Sequence, residues 1–299
     1  MRSFQNTMAC PPCQRRSALL AAIAPAISRL SFTRHGLLEM LALPNEQLLR
    51  AAKVEDPRGV LRGLEPHPPT ERVPTALCRH DPDYPVALAQ LPCAPAVLYA
   101  TCTPTRLREL LCKPTVAIVG SRTPTSYARQ ISFELAHELA AAGVTLVSGM
   151  NTGLEGHVHQ SALKASGNNI AVMPGGPDVP FPTQYASLQR EILARGAALS
   201  ELPPGFRPHP WTFIASQRTI ASLAGLIVVV ETGGHTCALF TAQIAADLGA
   251  DVAVVPGRVT DPGGEWTFAL LRDGAHPVSR ASDVLELIHD GRHVRAVAA

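Results

Sequence analysis

Thr115-Val116-Ala117-Ile118-Val119-Gly120-Ser121-Arg122 is the stretch on which the fold turns. From Val116 to Val119 no polar residue interrupts the run, so a strand formed here has no face reserved for water. That is the pattern of a strand covered on both sides. Glycine and serine then break the ladder, and a helical stretch opens at Tyr127. Outward from this unit the same alternation repeats. Apolar runs at Val144–Val147, Asn169–Met173, Ala197–Ser200, Leu226–Val230 and Asp251–Val255 are separated by helical stretches. These are Tyr127–Ala142, Gly153–Ser166, Gln184–Ala194, Phe213–Ala224 and Cys237–Leu248. Strands alternating with helices predict an α/β fold: a doubly wound, mostly parallel Rossmann-like sheet whose ligands sit at the strands' carboxyl ends. A last helix is expected near Ser282, where Asp283 and Glu286 suit a first turn.

The main domain is therefore expected over residues 113–290, with a tail at 291–299. Residues 17–64 read as a small N-terminal helical domain of short helices broken near Pro25 and Pro44. Residues 65–112 read as a Pro-rich linker and lead-in, with one short strand at Val97–Ala100, and residues 1–16 as a disordered tail. Arg15-Arg16 before the apolar stretch Ala18–Ile27 imitates an export signal, but Arg29 and Arg34 follow at once and the amphipathic pattern continues, so a domain helix is expected. No run reaches bilayer length, so no membrane partner is expected and the expected compartment is cytoplasmic.

With 46% hydrophobic and 17% charged residues, the composition excludes a disordered chain. Residues 1–112 carry 13 Lys and Arg against 9 Asp and Glu, a net +4, whereas residues 113–288 carry 11 against 14, a net −3. An acidic main domain cannot hold a polyanion by diffuse attraction and needs a few well-placed cations. The seven cysteines are scattered. Cys10-Pro-Pro-Cys13 has the gap of a zinc or redox pair, yet no second pair at finger spacing accompanies it, so no metal site is expected.

The candidate site residues lie at strand ends. Gly120, Ser121 and Arg122 precede a helix N-terminus, where backbone can approach a phosphate and the guanidinium can grip it. Ser148, Gly149 and Gly153 form a second such corner. His157 and His159, two apart, diverge on a helix and read as packing residues. Pro174-Gly175-Gly176-Pro177-Asp178 is an irregular loop. Glu231 suits a ribose hydroxyl and a cap on nearby amides equally. Among Trp211, Phe213 and Arg218, the aromatics follow a core-facing spacing, and Arg218, off that stripe, is the better candidate for phosphate.

At these loops the chain resembles the DprA/Smf family. The resemblance is carried by Cys78-Arg-His-Asp81-Pro82-Asp83-Tyr84-Pro85, Pro95-Ala-Val-Leu-Tyr99, Gly120-Ser121-Arg122, Ser148-Gly149 and His159. It continues through Pro203-Pro204-Gly205, Val-Val-Val-Glu231, Leu239-Phe-Thr241-Ala242, Val255-Pro256-Gly257 and Leu271-Arg-Asp-Gly274-Ala275, in the same order, over residues 78–288. The resemblance implies a non-catalytic protein without cofactors that binds single-stranded DNA, hands it to RecA in natural transformation, and can form a homodimer. It places phosphate against the Gly-Ser-Arg loop and an arginine-rich helix, and Gln217, Arg218 and Thr241 join the candidate phosphate contacts. Three departures stand out. Thr152 replaces an arginine, Ser216-Gln217-Arg218 replaces Arg-Asn-Arg, and Thr236-Cys237-Ala238 replaces Ser-Gly-Ser. Two lost guanidiniums imply weaker, less salt-sensitive binding. A sensor of a small nucleotide is the competing expectation. An enzyme similar to cytokinin-activating phosphoribohydrolases is disfavoured, because Pro174-Gly175-Gly176 lacks the rest of their motif and no acid–base pair is evident.

Overall fold

The computed structural model describes residues 7–234, 236–261 and 263–290. Of the tails expected at 1–16 and 291–299, residues 1–6 and 291–299 lie outside the described residues. A nine-stranded sheet runs in the order β1-β2-β6-β5-β4-β3-β7-β8-β9. Its strands are β1 (Thr75–Leu77), β2 (Leu98–Ala100), β3 (Thr115–Gly120), β4 (Thr145–Gly149), β5 (Asn169–Val172), β6 (Ala197–Ser200), β7 (Leu226–Glu231), β8 (Asp251–Val254) and β9 (His276–Pro277). From β6 to β9 every neighbouring pair is parallel, while β1 and β2 add an antiparallel margin beside β6.

The uninterrupted apolar runs are explained by the two cores. Val116 and Ile118 of β3, with Leu226, Val228 and Val230 of β7, face one core with α7 (Ser126–Ala141), α8 (Leu154–Lys164) and α13 (Ala281–His289). Ala117, Val119, Ile227 and Val229 face the other, with α10 (Pro210–Leu223) and α11 (Cys237–Asp247). Successive side chains point to opposite faces, and both faces are dry. Further helices α9 (Ala186–Arg195) and α12 (Gly264–Arg272) cover the remaining strands.

Among the described residues, four helices precede the sheet: α1 (Pro11–Ser28), α2 (Arg34–Ala42), α3 (Asn45–Ala51) and α4 (Pro57–Arg62). They bury Leu19, Ile23, Ile27, Leu37 and Leu48 against Leu202, Trp211 and Ala215. The Trp211 indole N–H donates to the Ala24 carbonyl at 3.3 Å. Three expectations need correction here. The break at Pro25 does not occur, since α1 runs through it. A proline inside a helix costs one hydrogen bond, and the buried row Leu20, Ile23, Ala24 and Ile27 holds the last turn regardless. The tail boundary at residue 16 falls inside α1, and Thr7 is already bridged to Thr75. The lead-in is more than a linker. It contains β1, β2, α5 (Val86–Ala89) and α6 (Pro104–Leu111), the strands only three residues long and too short to show a period.

Candidate nucleic-acid interface

β4, β5 and β6 follow β3 on one side of the sheet, and β7 returns to its other side. The order therefore reverses between β3 and β7, and the crevice at their carboxyl ends is where doubly wound sheets hold ligands. Gly120 and Glu231 are opposite each other there, beside an irregularity in register after Val119. The tight packing suits glycine at position 120: a Cβ would sit 2.7 Å from Leu154 Cδ1 and 3.0 Å from the Glu231 carbonyl. Gly153, at φ +93°, packs so closely that a Cβ would lie 2.3 Å from the Arg122 carbonyl oxygen. The Leu154 N–H donates to the Ser121 carbonyl at 3.1 Å, so the β3 loop and the start of α8 form one unit.

Three helix N-termini converge on this crevice. Thr125 caps α7 through its hydroxyl, which accepts from the Ala128 N–H at 3.1 Å, and Thr236 caps α11 likewise through the Leu239 N–H at 3.3 Å. α8 begins on Gly153 and has no side-chain cap. Oriented first-turn amides favour anions. Arg122 is exposed beside them. Its guanidinium and that of Arg34, at the start of α2, both counter the effects of burial and of Glu155 that push the Cys237 thiol up. Arg34 also lies 5.8 Å from the Phe240 ring centre. Farther along the rim, exposed Arg258 stands 5.5 Å from the Tyr127 ring centre. Neither Arg34 nor Arg258 was legible as a site residue, because no motif marks them and only the fold brings them to this edge.

The acids and bases nearby are already engaged. Glu231 resolves as a cap: its carboxylate accepts from the Thr125 hydroxyl at 2.6 Å and the Thr125 N–H at 3.3 Å. Glu155 is buried and accepts from the Asn151 N–H at 2.8 Å. Burial raises its carboxyl above the usual range, against that hydrogen bond and Arg122. A Cβ on Gly149 would strike this carboxylate at 2.6 Å. The Ser148 hydroxyl donates to the Ile118 carbonyl at 2.8 Å, tying β4 to β3. His159 packs as expected, its Nε2 2.8 Å from the Gly149 carbonyl oxygen and its Nδ1 2.7 Å from Asn169 Oδ1, and burial pulls it below the ordinary histidine range.

The structure separates the remaining three candidates from the crevice surface. Arg218 is only 2% exposed, and its guanidinium grips the carboxylate of Glu201, which also accepts from the Thr219 hydroxyl at 2.5 Å. Its ion pair borders a cavity shared with Arg16 and Trp211, between α1 and the sheet. Gln217 and Thr241 are buried partners: the Thr241 hydroxyl donates to Gln217 Oε1 at 2.6 Å, clamping α11 to α10. In this structure all three side chains serve packing contacts, and none of them reaches the crevice surface. The helical stripe misled because α10 is covered on nearly all sides, by the sheet, α11 and the N-terminal helices. Of the two positions that lose a guanidinium, Thr152 is exposed next to Gly153, whereas Ser216 is buried, its hydroxyl donating to the Phe213 carbonyl at 3.0 Å.

A family model for DNA recombination-mediator protein A matches residues 75–289. A DNA processing protein DprA of Mycobacterium tuberculosis is 39% identical over 199 residues, covering 66% of this chain and 51% of that protein. DprA of Bacillus subtilis is 32% identical over 203 residues, covering 68% of this chain and 67% of that protein. Relative to the first of these, the chain spans about half the length. Among solved structures, DprA from Helicobacter pylori, described for its mode of binding single-stranded DNA, aligns with a TM-score of 0.63 at 28% identity over 70% of this chain and 94% of that one. DprA from Streptococcus pneumoniae aligns with a TM-score of 0.69 at 24% identity over 93% and 98%, which shows the shared fold. The two loops that the strand-end glycines bring together lie inside the matched segment, and the chain belongs to the DNA recombination-mediator protein A family, the DprA/Smf proteins.

Proposed function

We propose that the crevice at the carboxyl ends of β3, β4 and β7 holds the phosphodiester backbone of single-stranded DNA, and that the protein mediates recombination by presenting that strand to a RecA-type recombinase. One observation carries the reading: exposed Arg122 stands at the sheet's switch point beside the start of α8, which has no side-chain cap. Phosphate is the ligand that uses both features at once. Arg34 and Arg258 extend a cationic rim that offsets the acidic balance of the domain. Phe213 and Phe181, half-buried and 5.2 Å apart edge to face near the start of α10, supply ring surface for an unpaired base. The H. pylori relative's recorded binding of single strands supports the same assignment.

Binding is the role this reading assigns, and Glu155, Glu231 and His159 spend their polar atoms on the fold. A ribose ligand is not favoured either, since Glu231 holds Thr125. Action in the cytoplasm, beside the recombinase, follows from this role. Electrophoretic shift with single-stranded DNA, set against calorimetry with mononucleotides, tests the reading. Strand binding with no measurable mononucleotide heat is expected, and the converse overturns it.

A further inference from the structure

Cys10 and Cys13 do not stand alone. The fold brings the loop after β1 against the start of α1, so that Cys78 and His80 meet them. His80 Nδ1 lies 3.3 Å from Cys10 Sγ, 3.5 Å from Cys13 Sγ and 3.6 Å from Cys78 Sγ, and Cys10 Sγ is 3.7 Å from Cys78 Sγ. All four atoms lie within 4.8 Å of one another. We propose that Cys10, Cys13, Cys78 and His80 bind one zinc ion that fastens the N-terminal helices to the edge of the sheet.

The distances decide between possible roles. A disulfide needs sulfurs about 2.0 Å apart, and the thiols are free. A tetrahedral zinc with Zn–S near 2.3 Å and Zn–N near 2.0 Å places its ligands about 3.7 Å apart for two sulfurs and about 3.5 Å for sulfur and nitrogen. The observed sulfur–nitrogen distances and the Cys10–Cys78 distance match those edges. Three thiolates and an imidazole form a closed donor set for a borderline-soft ion, with no position left for a substrate, so the site is structural.

The surroundings hold the ligands in place. Pro11 starts α1, and the Gln14 N–H donates to the Cys10 carbonyl at 3.0 Å, fixing Cys10 and Cys13 one turn apart. The Cys78 N–H donates to Asp81 Oδ2 at 2.6 Å and the Asp81 N–H to the Cys78 carbonyl at 2.8 Å, forming the turn that aims Cys78 and His80. Cys13 and Cys78 are buried with Ala9, Val73, Val97 and Tyr99. The Ala76 N–H donates to the Thr7 carbonyl at 2.9 Å, extending the same seam. Cys10 and Cys78 are far apart in sequence, which is why spacing alone hid the set.

The test is metal content of the full chain, purified under reducing conditions without added metal. About one zinc per chain is expected, and exchange for cobalt should give the d–d bands and thiolate charge transfer of a tetrahedral site. Cys78→Ser should lose the ion, and Cys112→Ser, at an exposed cysteine outside the set, should keep it. Because Cys78 is a core residue, its variant probes folding as well. Exposed His80 separates the two: His80→Ala should fold, yet release zinc at a roughly tenfold lower chelator concentration. Under a tenth of an equivalent of zinc after reconstitution, with Cys10, Cys13 and Cys78 alkylated as fast with zinc as without, overturns the proposal. So does unchanged zinc retention in both His80→Ala and Cys78→Ser, or a disulfide among the three cysteines under the same conditions.

Discussion

Arg218 is the residue for which sequence and structure make opposite predictions, and Arg218→Met tells them apart. The side chains of Arg218 and Glu201 are 3% and 10% exposed, so methionine fills the guanidinium's space while leaving a carboxylate nearly out of water, with only Thr219 among the described residues donating to it. Removing one partner of such a pair costs about 3–5 kcal/mol. For a chain of this size each kcal/mol lowers the melting temperature by roughly 2–4 °C, so a drop on the order of 10 °C is expected. Adding Glu201→Leu removes the stranded charge. The double variant should regain most of the loss, so the coupling in a double-mutant cycle should be about 3 kcal/mol or more. Thermal and urea unfolding supply these energies. A titration with single-stranded DNA well below the transition supplies the functional half, where affinity should change less than about twofold. An unchanged melting temperature, together with a salt slope lowered by about 0.7, would refute the reasoning and return Arg218 to phosphate.

Three further outcomes follow from the crevice and its supports. Gly153→Ala should cost about 2 kcal/mol or more and weaken DNA binding, since its Cβ would meet the Arg122 carbonyl at 2.3 Å and its φ of +93° suits glycine; wild-type stability in urea would contradict this. Thr152→Arg should raise single-strand affinity about tenfold and steepen the log–log salt slope by about 0.7, whereas an arginine at exposed Gln160 should not. Ser216→Arg should instead destabilise the middle of α10 in urea, because position 216 is buried; equal gains at Gln160 and Thr152 would count against the site. For His159, burial lowers the folded-state pKa, so the unfolded chain binds the extra proton and stability is lost as pH falls below about 6.5. Glu155, raised by burial, acts with the opposite sign. The stability gap between wild type and His159→Gln should therefore shrink by up to about 1.4 kcal/mol per pH unit below that point, and parallel curves would contradict it.

The parallel core was readable because both its faces are apolar, and six expected strands from Val116 to Val255 match β3 to β8 within two residues at each end. Glycines that end strands also marked the crevice, since Gly120 and Gly153 are positions where backbone meets backbone. What stayed hidden depends on distance in sequence. Arg34 and Arg258 reach the rim only through packing, and Cys10 finds Cys78 only when β1 joins the sheet. Helical periodicity failed where a helix is buried nearly all round. Arg218 on α10, off the core-facing stripe of its helix, is buried all the same.

The central claim is that a phosphate of single-stranded DNA sits against Arg122. Fluorescence anisotropy with a labelled single strand and a duplex of equal length, for wild type and Arg122→Ala across several salt concentrations, tests it most directly. Single strands should bind more tightly than duplex. Arg122→Ala should weaken that binding about tenfold and lower its salt slope by about 0.7, with unfolding in urea unchanged. Superimposable wild-type and Arg122→Ala curves at every salt concentration, or duplex bound as tightly as single strand, would contradict the account.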